Sequence, residues 1–461
     1  MHYKLAILIL LTGFFHSLNA QLRLPSIFGN NMVLQQKSNV AVWGWGNPGS
    51  KIMVTGSWNT DTVTAKIEND ARWKLNIATP AAGGPYTLSV ISEKKVLLEN
   101  VMIGEVWICS GQSNMEWCAD WKINNAEEEV KNANYHNIRF FHVSKSGSNT
   151  LQDNCNAAWE ACSPATMHSF SAVGYFFGRN LQQNLNVPIG LINVSWGGTP
   201  AEVWVKKELV TSDPVMNTAS QKLVKYDWWP KEPGVVYNAM IAPLVPYGIA
   251  GAIWYQGESN VDNHESYRKL FKTLIESWKS DFGKEFPFYY VQIAPYTYSA
   301  NSKAAYIREI QAQSLDIPKT GMVVVSDLVD NVKDIHPRNK QDVGKRLANI
   351  ALSENYGVPG LIYKFPMYKS MLAEKGKIRV SVANADNGLV VKGEKPLTFE
   401  IAGDDRKFVP AEVKIDGNTI VVWTKDINNP VAVRYSFSND GIGNIFSMEG
   451  LPLAPFRSDN W

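Results

Sequence analysis

The most restrictive feature of this 461-residue chain is a series of short apolar runs in its middle part, each ending abruptly in small or polar residues. The five runs are EVWICSG, IGLINVSWGG, GAIWYQGES, FYYVQIAPY and GMVVVSDL. Stretches with helical periodicity separate them, and in one of these Leu270, Leu274 and Trp278 fall on one face. Strands covered by helices on both faces read as near-continuous apolar runs. The pattern therefore predicts an α/β domain with a parallel sheet over residues 101–362.

The segments on either side of this domain have the period of antiparallel β-structure. Residues 21–100 contain short alternating runs such as KIMVTGSW and YTLSVI, interrupted by Gly, Pro and Asn, which is typical of a β-sandwich-like domain. Residues 363–461 return to this pattern, and Asp416-Gly417 is a strong hairpin signal. The sequence thus predicts two flanking β-rich regions and leaves open whether they pack together.

The first 20 residues predict export. Lys4 precedes the apolar run LAILILLTGFF, and Ala20 is a small residue suited to a cleavage site, so we interpret residues 1–20 as a signal peptide cleaved near Ala20. The run is short for a membrane span, and no other stretch is apolar for long enough. We therefore expect a periplasmic or secreted protein without a stable membrane span.

Charge and cysteine content argue against several kinds of partner and cofactor. The formal net charge is +2, without the charged runs that predict nucleic-acid binding. The four cysteines, Cys109, Cys118, Cys155 and Cys162, have no zinc-site spacing. Export permits disulfides but leaves their pairing open, and Cys109 fits a buried free thiol equally well. We predict no metal and no other cofactor.

Polar residues follow the apolar runs at the points where the predicted strands end. Ser113 follows the first run, and Gly198 closes the second. Gln256 and Glu258 close the third, and His336 lies in a polar loop after the last. Because ligands of open parallel sheets collect at the carboxyl ends of the strands, we expect these residues to lie close together. They supply the parts of an acyl-transfer site.

The chemistry of ester cleavage accounts for these residue types. A serine hydroxyl attacks poorly unless a base removes its proton, and neutral histidine does this near pH 7. A carboxylate on the far imidazole nitrogen fixes the tautomer and stabilises the imidazolium. The tetrahedral oxyanion needs preorganised N–H donors, and the loss of one raises the barrier by about 3 kcal/mol. A sharp corner at Ser110-Gly111 would expose Ser113 at the strand end.

Four sequence blocks resemble the sialate O-acetylesterase family of the SGNH-hydrolase superfamily. They are GQSNMEW, NVSWGGTPAE, WYQGESN and DIHPRNKQDVGKRLA, in the family's order. The resemblance implies an SGNH-type three-layer domain with Ser113 as nucleophile and His336 as base. It also implies an oxyanion hole formed by Ser113, Gly198 and an amide of the third block. Gln256 is the first candidate for that amide and Asn260 the second.

The acid of the catalytic triad departs from the superfamily pattern. The usual Asp-x-x-His spacing would place the acid at Lys333, whereas Asp334 stands two residues before His336. We assign Asp334 as the acid, with Glu258 as the alternative. Glu258 and Arg338 are also candidates for substrate binding, or for orienting the loop and bracing the following helix. Arg338 would pair with the carboxylate of an acidic sugar.

The resemblance predicts a serine esterase that removes O-acetyl groups from carbohydrate through an acetyl-serine intermediate. O-acetylated sialic acid is the expected substrate, acetyl xylan is the alternative, and a non-catalytic carbohydrate-binding protein is the rival class. Ser195 and Ser259 are rival nucleophiles whose positions favour a role in loop shape. The pair Trp228-Trp229 is compatible with sugar stacking, although such tryptophans more often lie in a core. The oligomeric state stays open.

Overall fold

A computed structural model describes residues 21–299 and 303–461 of the chain. The predicted signal peptide, residues 1–20, lies outside the described residues. Among the described helices, none is long and apolar enough to cross a membrane. Within the same residues no group of His, Cys, Asp and Glu side chains is placed to hold a metal ion. The four cysteines are free thiols, so none of the alternative disulfide pairings is formed.

Seven strands build the N-terminal β region and lead into the central sheet. They are β1 (Val33–Gln35), β2 (Ser38–Trp45), β3 (Lys51–Gly56), β4 (Thr62–Lys66), β5 (Arg72–Thr79), β6 (Gly83–Ile91) and β7 (Lys95–Gly111). β2 pairs with β5, and β3 pairs with β4 and β6, in each case antiparallel. Every second residue of β5 is buried, as expected of a strand with one face against a core.

The central region is a parallel sheet with helices on both faces. Its other strands are β8 (Ile138–His142), β9 (Trp159–Ala161), β10 (Ile189–Ser195), β11 (Gly251–Tyr255), β12 (Phe288–Val291) and β13 (Thr320–Val323). Its helices are α1 (Ser113–Glu116), α2 (Ala126–Lys131), α3 (Pro164–Met167), α4 (Ala172–Leu185), α5 (Lys207–Thr211), α6 (Pro214–Gln221), α7 (His264–Asp281), α8 (Ala304–Gln313) and α9 (Lys340–Glu354). The strand order is β13-β12-β11-β7-β10-β8-β9, and only β8 with β9 is antiparallel. The predicted fold class is confirmed.

Aromatic packing shows which helices cover each face of the sheet. Trp107 of β7 contacts Phe177 of α4, with ring centroids 5.0 Å apart. Trp254 of β11 lies in register with Ser110, an odd number of residues from Trp107, so it points to the opposite face. There it contacts Trp278 of α7 at 5.9 Å. The sheet is therefore the middle of three layers.

Strand β7 joins the N-terminal β region to the central sheet without a break. Its first part pairs with β6, and residues Glu105–Gly111 pair with β10. One hydrophobic core includes side chains of both regions, among them Val54 and Ile108. The predicted boundary between residues 100 and 101 thus falls inside a continuous strand, and the two regions share their packing.

The C-terminal β region has a core of its own. Its strands are β14 (Met367–Glu374), β15 (Lys377–Ala383), β16 (Leu389–Val391), β17 (Phe399–Ala402), β18 (Phe408–Pro410), β19 (Glu412–Asp416), β20 (Thr419–Trp423), β21 (Ala432–Tyr435), β22 (Ile445–Ser447) and β23 (Phe456–Arg457). Ile401 and Tyr435 belong to this separate core. The predicted hairpin joins β19 to β20. Polar contacts attach the region to α8, where Arg457 binds Glu309 at 2.9 Å.

Candidate active site

The chain turns sharply at the carboxyl end of β7, and this turn carries Ser113. Gly111 closes the strand with a φ of 138°, a conformation that favours glycine. A Cβ atom there would lie 2.2 Å from the carbonyl oxygen of Tyr255, so a larger residue does not fit. The N–H of Gln112 donates to the same carbonyl at 2.9 Å. Ser113 then begins α1 at a fixed position beside the sheet.

The structure brings Ser113 and His336 together. His336 lies in the loop between β13 and α9, and its Nε2 is 2.9 Å from the Oγ of Ser113. The two residues are 223 positions apart in the chain. They meet at the carboxyl-end edge of the sheet, as expected of residues that follow parallel strands. With Nδ1 protonated, Nε2 is placed to accept the hydroxyl proton of the serine.

The imidazole of His336 is partly buried against an indole ring. Trp117 stacks on it with ring centroids 4.0 Å apart and planes inclined by 20°. Burial lowers the pKa of His336 to about 4; the charge of Lys340 acts in the same direction, and Asp334 opposes both. His336 is therefore neutral, and competent as a base, at neutral and mildly acidic pH.

Asp334 lies beside the histidine, but it holds the loop more closely than the ring. Its Oδ1 accepts the backbone N–H of His336 at 2.9 Å. The same oxygen is 3.9 Å from Nδ1, which is an ion-pair distance and longer than a hydrogen bond. Among the described carboxylates, Asp334 is the one within ion-pair distance of His336. The alternative acid, Glu258, binds Asn114 instead.

Two backbone N–H groups, one in the nucleophile turn and one in the loop that approaches it, have no acceptor within the described part of the chain. The first belongs to Ser113, in the first turn of α1, where N–H groups lack intrahelical partners. The second belongs to Gly198, which has a φ of 80°. A Cβ on the adjacent Gly197 would lie 3.3 Å from the Cβ of Ser113, so this loop approaches the nucleophile closely. Both groups are available to an oxyanion.

Gln256 and Asn260, the two candidates for a third oxyanion donor, form hydrogen bonds inside the protein. Both side chains are fully buried. Gln256 donates from Nε2 to the Oδ1 of Asn260 at 2.7 Å, and Asn260 donates from Nδ2 to Glu202 at 2.9 Å. The Oδ1 of Asn260 also accepts the N–H of Ala201 at 2.9 Å. These two amides therefore brace the loop after Gly198 through its contact at Ala201.

A buried ionic cluster lies behind the nucleophile, and no sequence signal marked its lysine. Asn114 donates from Nδ2 to Glu258 at 2.7 Å and to the backbone carbonyl of Ile335 at 3.0 Å. Lys340 donates from Nζ to the Oδ1 of Asn114 at 2.6 Å. Glu258 is 5% exposed and Lys340 1%. Glu258 is thus turned into this Asn114 cluster (Asn114, Glu258 and Lys340), away from the partly exposed hydroxyl of Ser113.

Of the remaining candidate residues, Arg338 has a free side chain, whereas Ser195 and Ser259 form hydrogen bonds inside the protein. Arg338 is exposed, and its guanidinium makes no hydrogen bond or ion pair with the described residues. Ser195 donates its hydroxyl to Asn193 at 2.7 Å, and Ser259 donates to the carbonyl of Gly198 at 2.9 Å. Neither rival serine contacts a histidine, whereas Ser113 does.

A three-layer parallel sheet with a serine–histidine pair at the carboxyl end of its central strand defines the class of SGNH-like carboxylic ester hydrolases. Similarity to known proteins narrows this class. The sequence profile of the family "carbohydrate esterase, sialic acid-specific acetylesterase" matches residues 103–353. The chain belongs to this carbohydrate esterase family.

Individual relatives extend the similarity beyond the central sheet. The chain is 30% identical to a sialate O-acetylesterase of Mus musculus over 486 residues, covering 90% of this chain and 89% of the mouse protein. It is 31% identical to a sialate O-acetylesterase of Pongo abelii, covering 90% and 87%. A solved carbohydrate acetylesterase from Xanthomonas citri matches with 35% identity and a TM-score of 0.87, covering 96% of this chain and 100% of that chain. The flanking β regions are therefore part of the shared fold.

Proposed function

We propose that the protein removes O-acetyl groups from O-acetylated sialic acid, and that Ser113 and His336 perform the cleavage through an acetyl-serine intermediate. The observation that carries the proposal is the 2.9 Å contact between the Nε2 of His336 and the Oγ of Ser113. Membership of a carbohydrate esterase family supports the reaction class. The names of the mammalian relatives support sialic acid as the sugar.

In the first half of the reaction, the acetyl group moves from the sugar to the enzyme. His336 accepts the hydroxyl proton while the Oγ of Ser113 attacks the acetyl carbonyl carbon. The carbonyl oxygen becomes negative and is stabilised by the N–H groups of Ser113 and Gly198. The intermediate then breaks its bond to the sugar oxygen, which leaves with the proton from Nε2 of His336. The products of this half are the free sugar hydroxyl and acetyl-Ser113.

In the second half, water replaces the sugar hydroxyl. His336 accepts a proton from water, and the resulting hydroxide attacks the carbonyl carbon of acetyl-Ser113. The same two N–H groups stabilise the second oxyanion. Collapse breaks the bond to the Oγ of Ser113, which takes the proton from His336, and releases acetic acid, which ionises to acetate in water. Asp334 acts on the imidazolium through charge across 3.9 Å, and it holds the histidine loop through its bond to the backbone.

Arg338 supports an acidic sugar as the substrate. Its guanidinium is exposed two residues from His336 and has no partner among the described residues. Arginine binds carboxylates through two parallel hydrogen bonds, and sialic acid carries such a carboxylate. Arg338→Met should therefore raise KM for O-acetylated sialic acid while KM for acetylated xylan stays unchanged. Equal changes for both sugars would assign Arg338 to bracing the loop.

The central test replaces the nucleophile. Ser113→Ala should abolish hydrolysis of p-nitrophenyl acetate and acetate release from O-acetylated sialic acid, because the bond-forming oxygen is lost. Its thermal unfolding curve should match the wild type. Ser195→Ala is the matched control, since its hydroxyl is bound to Asn193. Undiminished turnover by the Ser113 variant would eliminate the mechanism. Faster acetate release by the wild type from acetyl xylan than from O-acetylated sialic acid would replace the proposed substrate.

We also propose that the chain is exported. Residues 1–20 have the charged start, apolar run and small terminal residue of a signal peptide. Cell fractionation of a strain that expresses the full chain should recover the protein outside the cytoplasm, with Gln21 at its N-terminus. A cytoplasmic protein that keeps Met1 would overturn this part of the proposal.

A further inference from the structure

Exposed aromatic side chains are concentrated around the catalytic site. In the described part of the chain four are exposed: Trp121, Tyr226, Trp228 and Trp461. Trp121 contacts Trp117, which stacks on His336. Tyr226 and Trp228 lie in the segment whose Trp229 covers Gly198. Three of the four therefore border the site.

Two of these side chains belong to a loop that we call the aromatic arm, residues 222–232 after α6. Lys231 donates from Nζ to the carbonyl of Leu223 at 2.8 Å and closes the loop. Trp229 lies 4.4 Å from Tyr226 and 5.6 Å from Trp228 between ring centroids. The three rings form one continuous aromatic surface.

The aromatic arm is attached to the loop that carries the oxyanion glycine. A Cβ on Gly198 would lie 2.2 Å from the indole of Trp229, so this ring covers the glycine directly. Trp196, two residues earlier, donates from Nε1 to the carbonyl of Trp228 at 3.0 Å. Because the same loop approaches Ser113 closely, the arm stands beside the place where the ester must lie.

Core packing does not account for the outer rings of the arm. Trp228 is 66% exposed and Tyr226 is 43% exposed. Val224 in the same loop is 64% exposed. Apolar groups gain stability when they leave water, so a run of exposed ones beside a catalytic site indicates a surface that is covered by a ligand.

We propose that the aromatic arm is a sugar-binding subsite in which Tyr226 and Trp228 stack on the pyranose ring of the acetylated substrate. This proposal rests on the proposed function. Pyranose rings present faces of C–H groups, which pack on aromatic rings, while the hydroxyl and N–H of Tyr and Trp bind sugar hydroxyls. The arm holds the sugar while Ser113 attacks its ester, so it sets affinity for glycan substrates and has no part in bond cleavage.

The test separates sugar binding from ester cleavage by using two substrates. The double variant Tyr226→Ala, Trp228→Ala should raise KM for O-acetylated N-acetylneuraminic acid by about tenfold or more, with kcat little changed. Its kcat/KM for p-nitrophenyl acetate, which has no sugar ring, should stay within about twofold of the wild type. Trp461 is an exposed aromatic in the C-terminal β region, so Trp461→Ala is the matched control. It should change neither KM nor kcat with either substrate.

A binding measurement keeps the proposal independent of turnover. Tryptophan fluorescence of the Ser113→Ala protein should change on addition of the acetylated sugar, and removal of Tyr226 and Trp228 should weaken that binding about tenfold. No sugar binding by the Ser113→Ala protein, or equal binding with and without the two rings, would overturn the proposal. An equal fall of kcat/KM on both substrates in the double variant would also overturn the proposal, because the arm would then act by supporting the oxyanion loop. A wild type that binds the sugar but cleaves no ester contradicts the proposed function alone.

Discussion

The turn that carries Ser113 has an open side and a buried side, and the two differ in how their polar groups are used. On the open side, the hydroxyl of Ser113 meets His336, and the N–H of Gly198 has no acceptor among the described residues. On the buried side, Asn114 is bound to Glu258 and Lys340. Ser113 and Asn114 are adjacent in the chain, yet Ser113 is partly exposed and Asn114 is buried.

This difference follows from what each side must do. Groups that act on a substrate need free donors and acceptors, which water can satisfy while the site is empty. Groups buried away from water must be bonded to each other, because an unpaired polar group in the interior costs about 1–3 kcal/mol. The open side should therefore control rate with little effect on stability. The buried side should control both, because it fixes the turn on which the serine stands.

The largest expected effect is on the open side. His336→Ala should lower kcat for p-nitrophenyl acetate by about a thousandfold or more, because no other described base contacts the serine. Its free energy of unfolding should change by about 1 kcal/mol at most, since the ring is partly exposed. Initial rates and urea unfolding measure the two quantities. His136→Ala, at an exposed histidine, is the control. A large loss of stability in His336→Ala would remove the distinction between the two sides.

The sequence predicted the open side well because its residues follow strand ends. Ser113, Gly198 and His336 each come after an apolar run of strand length, and the carboxyl ends of parallel strands share one edge. The fold class was predictable for the same reason. Periodicity distinguishes buried parallel strands from the alternating strands of the flanking regions.

The sequence did not show how the buried side is arranged, because a motif does not show which way a side chain points. The block WYQGESN contains three residues that were assigned to the oxyanion or substrate, and Gln256, Glu258 and Asn260 are all turned inward. Lys340 went unnoticed because lysines at the start of helices are usually exposed. Its burial depends on Asn114 and Glu258, which come from two other strand ends and meet it only in the folded chain.

The next largest effect tests the buried side. Lys340→Met should lower the free energy of unfolding by about 3 kcal/mol, because it removes the donor to the buried Oδ1 of Asn114 and the cation nearest to the buried Glu258, and it should lower kcat as well. Adding Glu258→Gln should restore part of both losses. Lys345→Met, at an exposed lysine of the same helix, is the matched control. Losses that simply add in the double variant would mean that the two charges do not act as a pair.

A smaller effect is expected at Asp334, on the open side. Asp334→Asn should lower kcat by about tenfold, far less than His336→Ala, because the carboxylate is 3.9 Å from Nδ1 and makes no hydrogen bond to the ring. The asparagine keeps an oxygen for the backbone N–H of His336, so the loop should hold its shape. Steady-state kcat values of Asp334→Asn and His336→Ala measure this difference. Equal losses would make Asp334 as essential as the base.

The smallest effect is a shift in pH dependence, and here the two sides act in opposite directions. The neutral form of His336 is the base, so kcat/KM of the wild type should fall as pH drops through about 4. Lys340 is charged at that pH, since burial lowers its pKa only to about 7. Its charge disfavours the imidazolium, whereas that of Asp334 favours it. Lys340→Met should therefore move the acidic limb to higher pH, and Asp334→Asn should move it to lower pH.

Rate profiles of kcat/KM for p-nitrophenyl acetate, extended from neutral pH to below the pKa of His336 at about 4, measure both shifts. A purely structural role for Lys340 would lower the whole profile without moving its limb, so the direction of the shift separates electrostatic control from loss of packing. Shifts of both variants in the same direction would show that the limb does not report His336. In that case a different group limits the reaction at low pH.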